Sequence, residues 1–243
     1  MRDYAKEIEK RVAFIRKALS DAHADGIVYG NSGGKDCALV GILCKMACDN
    51  VLGVMMPCQS SQNYGSDMED ALLVAKQFDI ETITVDLSDV KAKMVESIEK
   101  ATETTQTAQS NIAPRLRMTT LYTIAQSRNA MVAGTGNSCE LYMGYFTKWG
   151  DGACDINPIA DLKVSEVYEF LEFLNAPESI IKKAPSAGLF EGQTDEKEMG
   201  VTYRQIEEVM VEGKTGDNGA TEKILGIHSR TEHKRRMPLW YSE

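Results

Sequence analysis

The sequence predicts an α/β fold built on a doubly wound, mostly parallel sheet that helices flank. Two observations predict this fold. Short apolar runs alternate along the chain with longer segments in which apolar residues recur at helical spacing. A glycine-rich loop also stands between the first apolar run and the helical segment after it. Because sheets of this kind bind ligands at the carboxyl ends of their strands, that loop is the first candidate for a functional site.

The first half of the chain shows the alternation most clearly. A helix is predicted over residues 4–23 by four apolar residues at helical spacing: Ile8, Val12, Ile15 and Leu19. The apolar run 27–29 predicts the first strand. Further helices are predicted over 37–48, 66–78 and 89–100, and further strands over 51–56 and 80–85. Ser88 or Asp89 is expected to cap the third of these helices.

The second half continues the pattern with longer irregular segments. Helices are predicted over 116–128, from 138, over 163–174, 203–211 and 220–225, and a fourth strand over 130–133. Residues 101–113 are rich in Thr, Gln, Ser and Asn, which predicts a flexible surface loop. Residues 144–155 form a predicted loop rich in glycine and aromatic residues. Residues 184–200 mix Pro, Gly, Ser and acidic residues and are predicted to form a long mobile loop.

Composition excludes several classes of protein. The net charge of −9 argues against nucleic acid and against an anionic membrane surface as partners, because both attract basic proteins. Six cysteines without a C-x-x-C pair, beside three histidines, predict no zinc site and thiols that stay reduced and mostly buried in the cytoplasm. A length of 243 residues predicts one domain over 1–243. No apolar run approaches the ~20 residues of a membrane span.

The glycine-rich loop has the residues that a phosphate site needs. Gly33 and Gly34 let backbone N–H groups approach an anion, and the following helix adds its positive end. Ser32 adds a hydroxyl, Lys35 a charge, and Asp36 suits a magnesium ion held against the phosphates. The loop matches neither the Walker A pattern nor G-x-G-x-x-G. The alternative is a plain glycine-containing turn between a strand and a helix.

A strand followed by S-G-G-x-D-S/T and a helix resembles the pyrophosphate-binding loop of the ATP pyrophosphatases, which are Rossmann-like enzymes that cleave ATP between its α- and β-phosphates. This chain has Cys37 where the pattern has Ser or Thr. A thiol is a weaker donor than a hydroxyl. We interpret Cys37 as a small residue at a helix start rather than as a nucleophile. No other residue is predicted to act as a catalytic nucleophile either.

Later segments resemble one family among these enzymes, the NAD synthetases. Five segments carry the resemblance, in family order: G-T-G-N-S-C-E at 134–140, G-Y-F-T-K-W-G-D-G at 144–152, D-I-N-P at 155–158, A-P-S-A-G-L at 184–189 and E-H-K-R at 232–235. A further departure from the family follows the third segment, because Lys163 directly follows Leu162 and Val164 stands where the family has its ATP-contacting lysine.

The resemblance implies roles for particular residues. The implied ATP contacts are Gly30, Asn31, Ser32, Gly33, Gly34, Lys35, Asp36, Cys37, Thr135 and Ser186. The implied contacts to the dinucleotide substrate are Arg115, Lys148, Asp155, His233 and Lys234. Pro114 interrupts the family's A-R-x-R-M pattern, which leaves Arg117 open as an alternative to Arg115. Asp36 and Glu140 are implied as the ligands of Mg²⁺. Without the resemblance, Glu140 and the basic tail would be interpreted as solvated charges.

The implied reaction is the ammonia-dependent conversion of deamido-NAD to NAD. ATP adenylates the nicotinate carboxylate, and ammonia then displaces AMP. We expect ammonia rather than glutamine because glutamine-using members carry an additional amidase domain, for which this chain leaves no room. The family also implies a homodimer. Two alternatives are another adenylating ATP pyrophosphatase, of the thiolating or GMP-forming type, and a non-catalytic nucleotide-binding sensor.

Overall fold

A computed structural model describes residues 2–58, 65–183 and 194–241. Within these residues it contains a four-stranded sheet of order β3-β2-β1-β4, in which every neighbouring pair is parallel. The strands are β1 (Gly26–Gly30), β2 (Val51–Met55), β3 (Glu81–Thr84) and β4 (Ala130–Ala133). All four strands stand where the apolar runs predict them.

The helices connect and cover these strands. In chain order they are α1 (Tyr4–Ala22), α2 (Lys35–Ala47), α3 (Ser66–Gln77), α4 (Ser88–Glu99), α5 (Gln106–Ser110), α6 (Ile112–Ser127), α7 (Ser138–Met143), α8 (Val164–Phe173), α9 (Glu178–Ile181), α10 (Asp195–Met199), α11 (Tyr203–Glu212) and α12 (Asn218–Arg230). A short 3₁₀ helix (Glu232–Lys234) follows the last of them. Each parallel crossover in the sheet passes through at least one helix, as parallel pairing requires.

Two hydrophobic layers cover the two faces of the sheet. Along β1 the side chains alternate: Ile27 and Tyr29 pack with α1, α2 and α8, whereas Val28 packs with α6. The strands β1 and β2 are buried on both faces, which explains why they are continuous apolar runs. The predicted doubly wound α/β fold is confirmed.

A third hydrophobic cluster lies beyond the sheet. The helices α7, α10, α11 and α12 pack on one another around buried residues such as Met143, Ile206 and Ile224. α7 follows β4 through a short loop, so this cluster is attached to the carboxyl ends of the strands. Its position places the helices of the second half of the chain beside the glycine-rich loop.

The prediction of a flexible loop over 101–113 is wrong. Thr105 accepts a hydrogen bond from the backbone N–H of Ala108 and caps α5. α6 then begins at Ile112, four residues earlier than predicted, because Ile112 and Ala113 are buried. Pro114 lies in the first turn of α6, where its missing N–H has no intrahelical partner to lose.

Two boundaries also differ from prediction. The N-cap of α4 is Leu87, whose buried side chain anchors the helix start, and neither Ser88 nor Asp89 caps it. The Asp86 side chain instead accepts a hydrogen bond from the backbone N–H of Ser88 at 2.8 Å. Within the segment predicted to be a mobile loop over 184–200, residues 195–199 are helical as α10, and residues 184–193 lie outside the described part of the chain.

The cysteines agree with their predicted burial. All six are free thiols, and Cys37, Cys44, Cys58 and Cys139 are buried. Cys48 and Cys154 are partly buried. In the part of the chain that the structure describes, no helix is both long and apolar enough to cross a membrane.

Two buried tyrosines make a matched test of this packing. We expect Tyr29→Phe to leave the free energy of unfolding unchanged, or to raise it by up to about 1 kcal/mol, since the Tyr29 hydroxyl is buried with no hydrogen-bond partner among the described residues. The Tyr203 hydroxyl donates to Asp195 Oδ2 at 2.8 Å. Tyr203→Phe should therefore lower that free energy by about 1.5–3 kcal/mol, because the acceptor is a carboxylate. Urea denaturation measures both, and equal losses would contradict the assignment of Tyr29.

Candidate functional site

The carboxyl ends of β1, β2 and β4 open into one cavity of about 680 Å³. The parallel strands place the loops that follow them at the same edge of the sheet, as in other α/β folds. Of the residues predicted from the sequence, the following line this cavity: Gly30, Asn31, Ser32, Gly34, Lys35, Asp36, Cys37, Thr135, Glu140 and Lys234. Residues that lie a hundred positions apart in the sequence therefore face one space.

The glycine-rich loop is held in a shape that presents its backbone. Gly33 has a φ of +72°, in the left-handed region that favours glycine. A Cβ atom at this position would overlap the carbonyl oxygen of Asp67, so α3 packs directly against the loop. Asn31 Oδ1 accepts the Gly33 N–H at 3.3 Å, and Ser32 Oγ accepts the Gly34 N–H at 3.3 Å. The first turn of α2 follows at once, and its N–H groups suit an anion.

Lys35 is buried, with 6% of its surface exposed. Its Nζ atom lies 2.7 Å from Asp36 Oδ2, and within 6 Å of the ring centres of Tyr168 and Tyr203, at 5.8 and 5.7 Å. Burial acts to lower the pKa of Lys35, but the charges of Asp36 and Glu140 outweigh it and hold the pKa above its usual value. Lys35 is therefore a cation that neutralises Asp36 from behind.

Two carboxylates line the cavity from the first turns of two helices. Asp36 stands in the first turn of α2, and Glu140 in the first turn of α7. Burial, followed by the charge of Asp36, raises the pKa of Glu140 well above its usual range. Among the described residues, no group of three or more acidic, cysteine or histidine side chains could bind a metal by itself. The pair suits a hard cation that takes its remaining oxygens from phosphates and water.

Cys37 and Thr135 meet at the base of the glycine-rich loop. The Cys37 Sγ lies 3.1 Å from Ser32 Oγ, and the Thr135 side chain interacts with the same thiol. Burial raises the pKa of Cys37, so that the thiol stays protonated at neutral pH and is a poor nucleophile. The interpretation of Cys37 as a small packing residue agrees with this position.

The predicted substrate contacts separate into two groups. Lys234 lines the cavity, and its Nζ donates to the carbonyl oxygens of Gly144 and Phe146, both at 2.7 Å. Arg115, Lys148 and His233 are not among the lining residues. They contact one another instead: Arg115 Nη2 donates to the Lys148 carbonyl at 3.4 Å, and Lys148 Nζ donates to the His233 carbonyl at 2.5 Å.

Asp155 is engaged in the fold rather than in the cavity. Its Oδ2 accepts the Val132 N–H at 2.7 Å, and its Oδ1 accepts the Tyr122 hydroxyl at 3.1 Å. These bonds attach the loop after residue 150 to β4 and to α6. The role of Asp155 as a substrate contact stays a prediction, as do those of Arg115, Lys148 and His233. Ser186 lies outside the described residues.

Arg117, the alternative to Arg115, lines the cavity. Its Nε donates to the Met56 carbonyl at 3.1 Å, and burial lowers its pKa. The two arginines diverge because residues two apart point to different sides of a helix. Arg117 shares a helix face with the buried residues Ala113 and Pro114. Helical spacing predicts this shared face once the helix begins at Ile112 rather than at Leu116.

Lys183 is a functional candidate that the sequence did not reveal. Its Nζ lies 2.8 Å from Asp67 Oδ1 and 2.7 Å from Asp70 Oδ2, and it donates to the Gly33 carbonyl at 3.3 Å. Lys183 thus joins the glycine-rich loop to α3. No local pattern could have shown this contact, because the residues involved come from three separate parts of the chain.

Asp151 is a second residue that the sequence reasoning passed over. Its carboxylate lines the cavity and accepts the Thr147 N–H at 2.9 Å. The G-D-G at residues 150–152, part of a segment that carries the family resemblance, is the sequence signal that could have indicated Asp151.

A parallel α/β sheet with a glycine-rich anion loop and two carboxylates at its carboxyl edge defines a class of nucleotide-binding α/β proteins. Within this class, the model of the family described as NAD synthase matches residues 7–238. The chain belongs to the NAD synthase family. The predicted family and its class of ATP-using ligases are thereby confirmed.

Relatives and solved structures agree with this family. A protein from Carboxydothermus hydrogenoformans named NH(3)-dependent NAD(+) synthetase is 44% identical over 239 residues, which cover 97% of each chain. The structure of NMN synthetase from Francisella tularensis has a TM-score of 0.93 and 38% identity, and covers both chains completely. That of the NH3-dependent NAD synthetase from Campylobacter jejuni, in complex with the nitrate ion, has a TM-score of 0.82 and 31% identity, again with complete coverage of both chains.

The contact between Gly33 and α3 can be tested with a neighbouring glycine as control. We expect Gly33→Ala to lower the free energy of unfolding by more than about 1–2 kcal/mol, since left-handed backbone alone costs that much with a Cβ atom and the Asp67 carbonyl would also have to move. Gly34 has extended backbone, and an added Cβ would lie 3.2 Å from Ser32 Oγ. Gly34→Ala should therefore change stability little. Denaturant unfolding measures both variants, and equal stability would contradict this role of Gly33.

Proposed function

We propose that the protein is an ammonia-dependent NAD synthetase. The observation that carries the proposal is the pair of partly buried carboxylates, Asp36 and Glu140, beside a glycine-rich loop in the cavity at the carboxyl edge of the sheet. The chain's family and its relatives named NH(3)-dependent NAD(+) synthetases agree with this activity. The family model spans residues 7–238, which supports a single domain over 1–243.

ATP would bind along the glycine-rich loop. The proposed contacts come from the loop after β1, from the end of β4 and from Ser186: Gly30, Asn31, Ser32, Gly33, Gly34, Lys35, Asp36, Cys37, Thr135 and Ser186. The support is that most of these residues line the cavity and that the positive end of α2 points into the same region. Lys35 would act on the phosphates mainly through its charge, because its Nζ atom also lies 2.7 Å from Asp36 Oδ2.

Asp36 and Glu140 would bind Mg²⁺, which neutralises charge on the pyrophosphate that leaves ATP. The two side chains fit a divalent cation because both are partly buried and the negative charge of Asp36 acts on Glu140, a repulsion that a cation relieves. The oxygens that two carboxylates cannot supply would come from phosphates and water.

The nicotinate substrate would bind near the basic tail. Lys234 supplies a cation on the cavity wall, and Arg117 supplies a second. Arg115, Lys148, Asp155 and His233 are retained as proposed contacts to the nucleotide part of the substrate, as the family resemblance implies. The contacts among Arg115, Lys148 and His233 support a shared basic surface at this end of the molecule.

The chemistry then runs in two balanced steps. A carboxylate oxygen of deamido-NAD bonds to the α-phosphorus of ATP, and the bond from that phosphorus to the bridging oxygen breaks, which releases pyrophosphate. The loop N–H groups and Lys234 stabilise negative charge as it moves. Ammonia then bonds to the acyl carbon, AMP departs with the oxygen, and one proton is lost. Positioning and electrostatics suffice, so no residue need act as a nucleophile.

A second candidate substrate comes from one comparison. The structure of NMN synthetase from Francisella tularensis has a higher TM-score, 0.93, than that of the Campylobacter jejuni NAD synthetase, 0.82. The same two steps on nicotinate mononucleotide would give NMN. Thiolating or GMP-forming activity is not favoured, because relatives such as those from Carboxydothermus hydrogenoformans and Archaeoglobus fulgidus are named NH(3)-dependent NAD(+) synthetases.

We also propose a homodimer in the cytoplasm. Leu239, Trp240 and Tyr241 expose most of their apolar surface, which supports a contact with a second copy. Six free thiols are typical of a reducing compartment.

The proposed reaction predicts its own products. With ATP, Mg²⁺, ammonium and deamido-NAD, we expect NAD, AMP and pyrophosphate in equal amounts, and no NAD when glutamine replaces ammonium. A parallel reaction with nicotinate mononucleotide tests the second candidate by the formation of NMN. Liquid chromatography of the products measures all of these. Nucleotide binding without AMP release from either substrate would contradict an enzyme and favour a sensor.

The carboxylates can be tested against a matched surface residue. Asp36→Asn and Glu140→Gln should each lower kcat by about 10²-fold or more, since the charge that develops on the phosphates would lose its stabilisation. Asp79→Asn removes an almost fully exposed carboxylate outside the cavity and should leave kcat unchanged. A loss confined to Asp79→Asn, or shared equally by all three variants, would contradict the proposed site.

A further inference from the structure

Asn137 lies between the two carboxylates of the site. Asp36 follows β1 and Glu140 follows β4, which are neighbouring strands of the sheet. No short stretch of chain links the two residues and fixes their relative position. Asn137 is the N-cap of α7 and has 0% of its surface exposed. Nothing in its local sequence distinguishes this buried asparagine from an ordinary helix cap.

Each polar group of Asn137 has a separate partner at the site. Its Oδ1 accepts the N–H groups of Cys139 and Glu140, both at 3.1 Å, and so orients the first turn of α7. Its backbone N–H donates to Glu140 Oε2 at 3.1 Å, which completes a capping box. Its Nδ2 donates to Asp36 Oδ1 at 3.1 Å. One residue therefore holds Glu140 by its backbone and Asp36 by its side chain.

Only an amide of this length suits both tasks. An N-cap requires an acceptor, which Ser, Thr, Asp and Asn all provide. The contact to Asp36 requires a donor on the same side chain, and a carboxylate has none. A serine or threonine hydroxyl can cap the helix, but its oxygen stands closer to the backbone and does not supply the second arm that reaches Asp36.

We propose that Asn137 is a positioning residue that sets the distance and orientation of Asp36 relative to Glu140, so that both bind one divalent cation. This inference rests on the metal site proposed above. The capping bonds fix the position of Glu140 in the first turn of α7. The Asn137 amide donor orients the Asp36 carboxylate toward Glu140. Lys35 Nζ lies 2.7 Å from the other oxygen of Asp36, Oδ2. Partners at both oxygens therefore fix the rotation of the Asp36 carboxylate.

The expected effect follows from how metal sites respond to the loss of such partners. Removing a residue that orients a metal ligand typically costs 10–100-fold in metal affinity. We therefore expect Asn137→Ser and Asn137→Thr to weaken the binding of Mn²⁺ by about 10–100-fold. Both variants keep an N-cap acceptor, so α7 should remain folded.

The test measures Mn²⁺ bound to the full chain by electron paramagnetic resonance, with a non-hydrolysable ATP analogue present. Mn²⁺ stands in for Mg²⁺ because it takes the same oxygen ligands in octahedral geometry. The control is Asp217→Ser at the N-cap of α12, where the side chain accepts the Ala220 N–H at 3.1 Å and does not touch either carboxylate. Asp217→Ser should bind Mn²⁺ as the unchanged protein does. In activity assays, the Mg²⁺ concentration for half-maximal rate should rise in both Asn137 variants, while the KM for deamido-NAD should not.

Asp36→Asn separates the failure of this inference from the failure of the metal site itself. If Asp36→Asn binds Mn²⁺ as tightly as the unchanged protein, the proposed metal site is wrong. If Asp36→Asn loses Mn²⁺ but both Asn137 variants retain it, the metal site stands and the role of Asn137 is overturned. Circular dichroism of each variant establishes that it is folded, and either Asn137 variant alone is sufficient for the comparison.

Discussion

Two partly buried carboxylates beside the glycine-rich loop impose the main constraint on this structure. Burying charge costs free energy unless other charges or hydrogen bonds compensate it. Lys35 compensates Asp36 from within the core, and Asn137 compensates it from α7. Glu140 remains the less compensated of the two, and burial together with Asp36 raises its pKa. A positive charge near Glu140 would therefore lower the electrostatic free energy of this pair.

The glycine-rich loop depends on a second set of compensated charges. Lys183 lies between Asp67 and Asp70 and reaches the Gly33 carbonyl, while α3 packs against Gly33 so closely that no Cβ atom fits. The loop is thus held by α3 and Lys183 from outside and by its own Asn31 and Ser32 side chains, which accept the Gly33 and Gly34 N–H groups. A loop held in this way keeps its shape before a ligand arrives, which reduces the ordering needed on binding.

The parts of the fold that local physics dictates were predictable. The strands β1 and β2 are buried on both faces and so are short, continuous apolar runs. The sequence did not predict α5 or the first turn of α6, because these residues are polar or stand at a helix start. The burial of Ile112 and Ala113 determines where α6 begins. At the site, the loop after β1 was predictable because its glycines, helix start and aspartate are contiguous.

The sequence by itself determined the α/β class, the glycine-rich loop and the resemblance to the NAD synthetases, because each is written in neighbouring residues. Tertiary structure decided which charges meet. It turned Arg117 rather than Arg115 to the cavity, engaged Asp155 with β4, and joined Lys183 to Gly33 and Asn137 to Asp36. These contacts link residues tens to a hundred or more positions apart, and their geometry exists only when parallel strands bring their carboxyl ends to one edge.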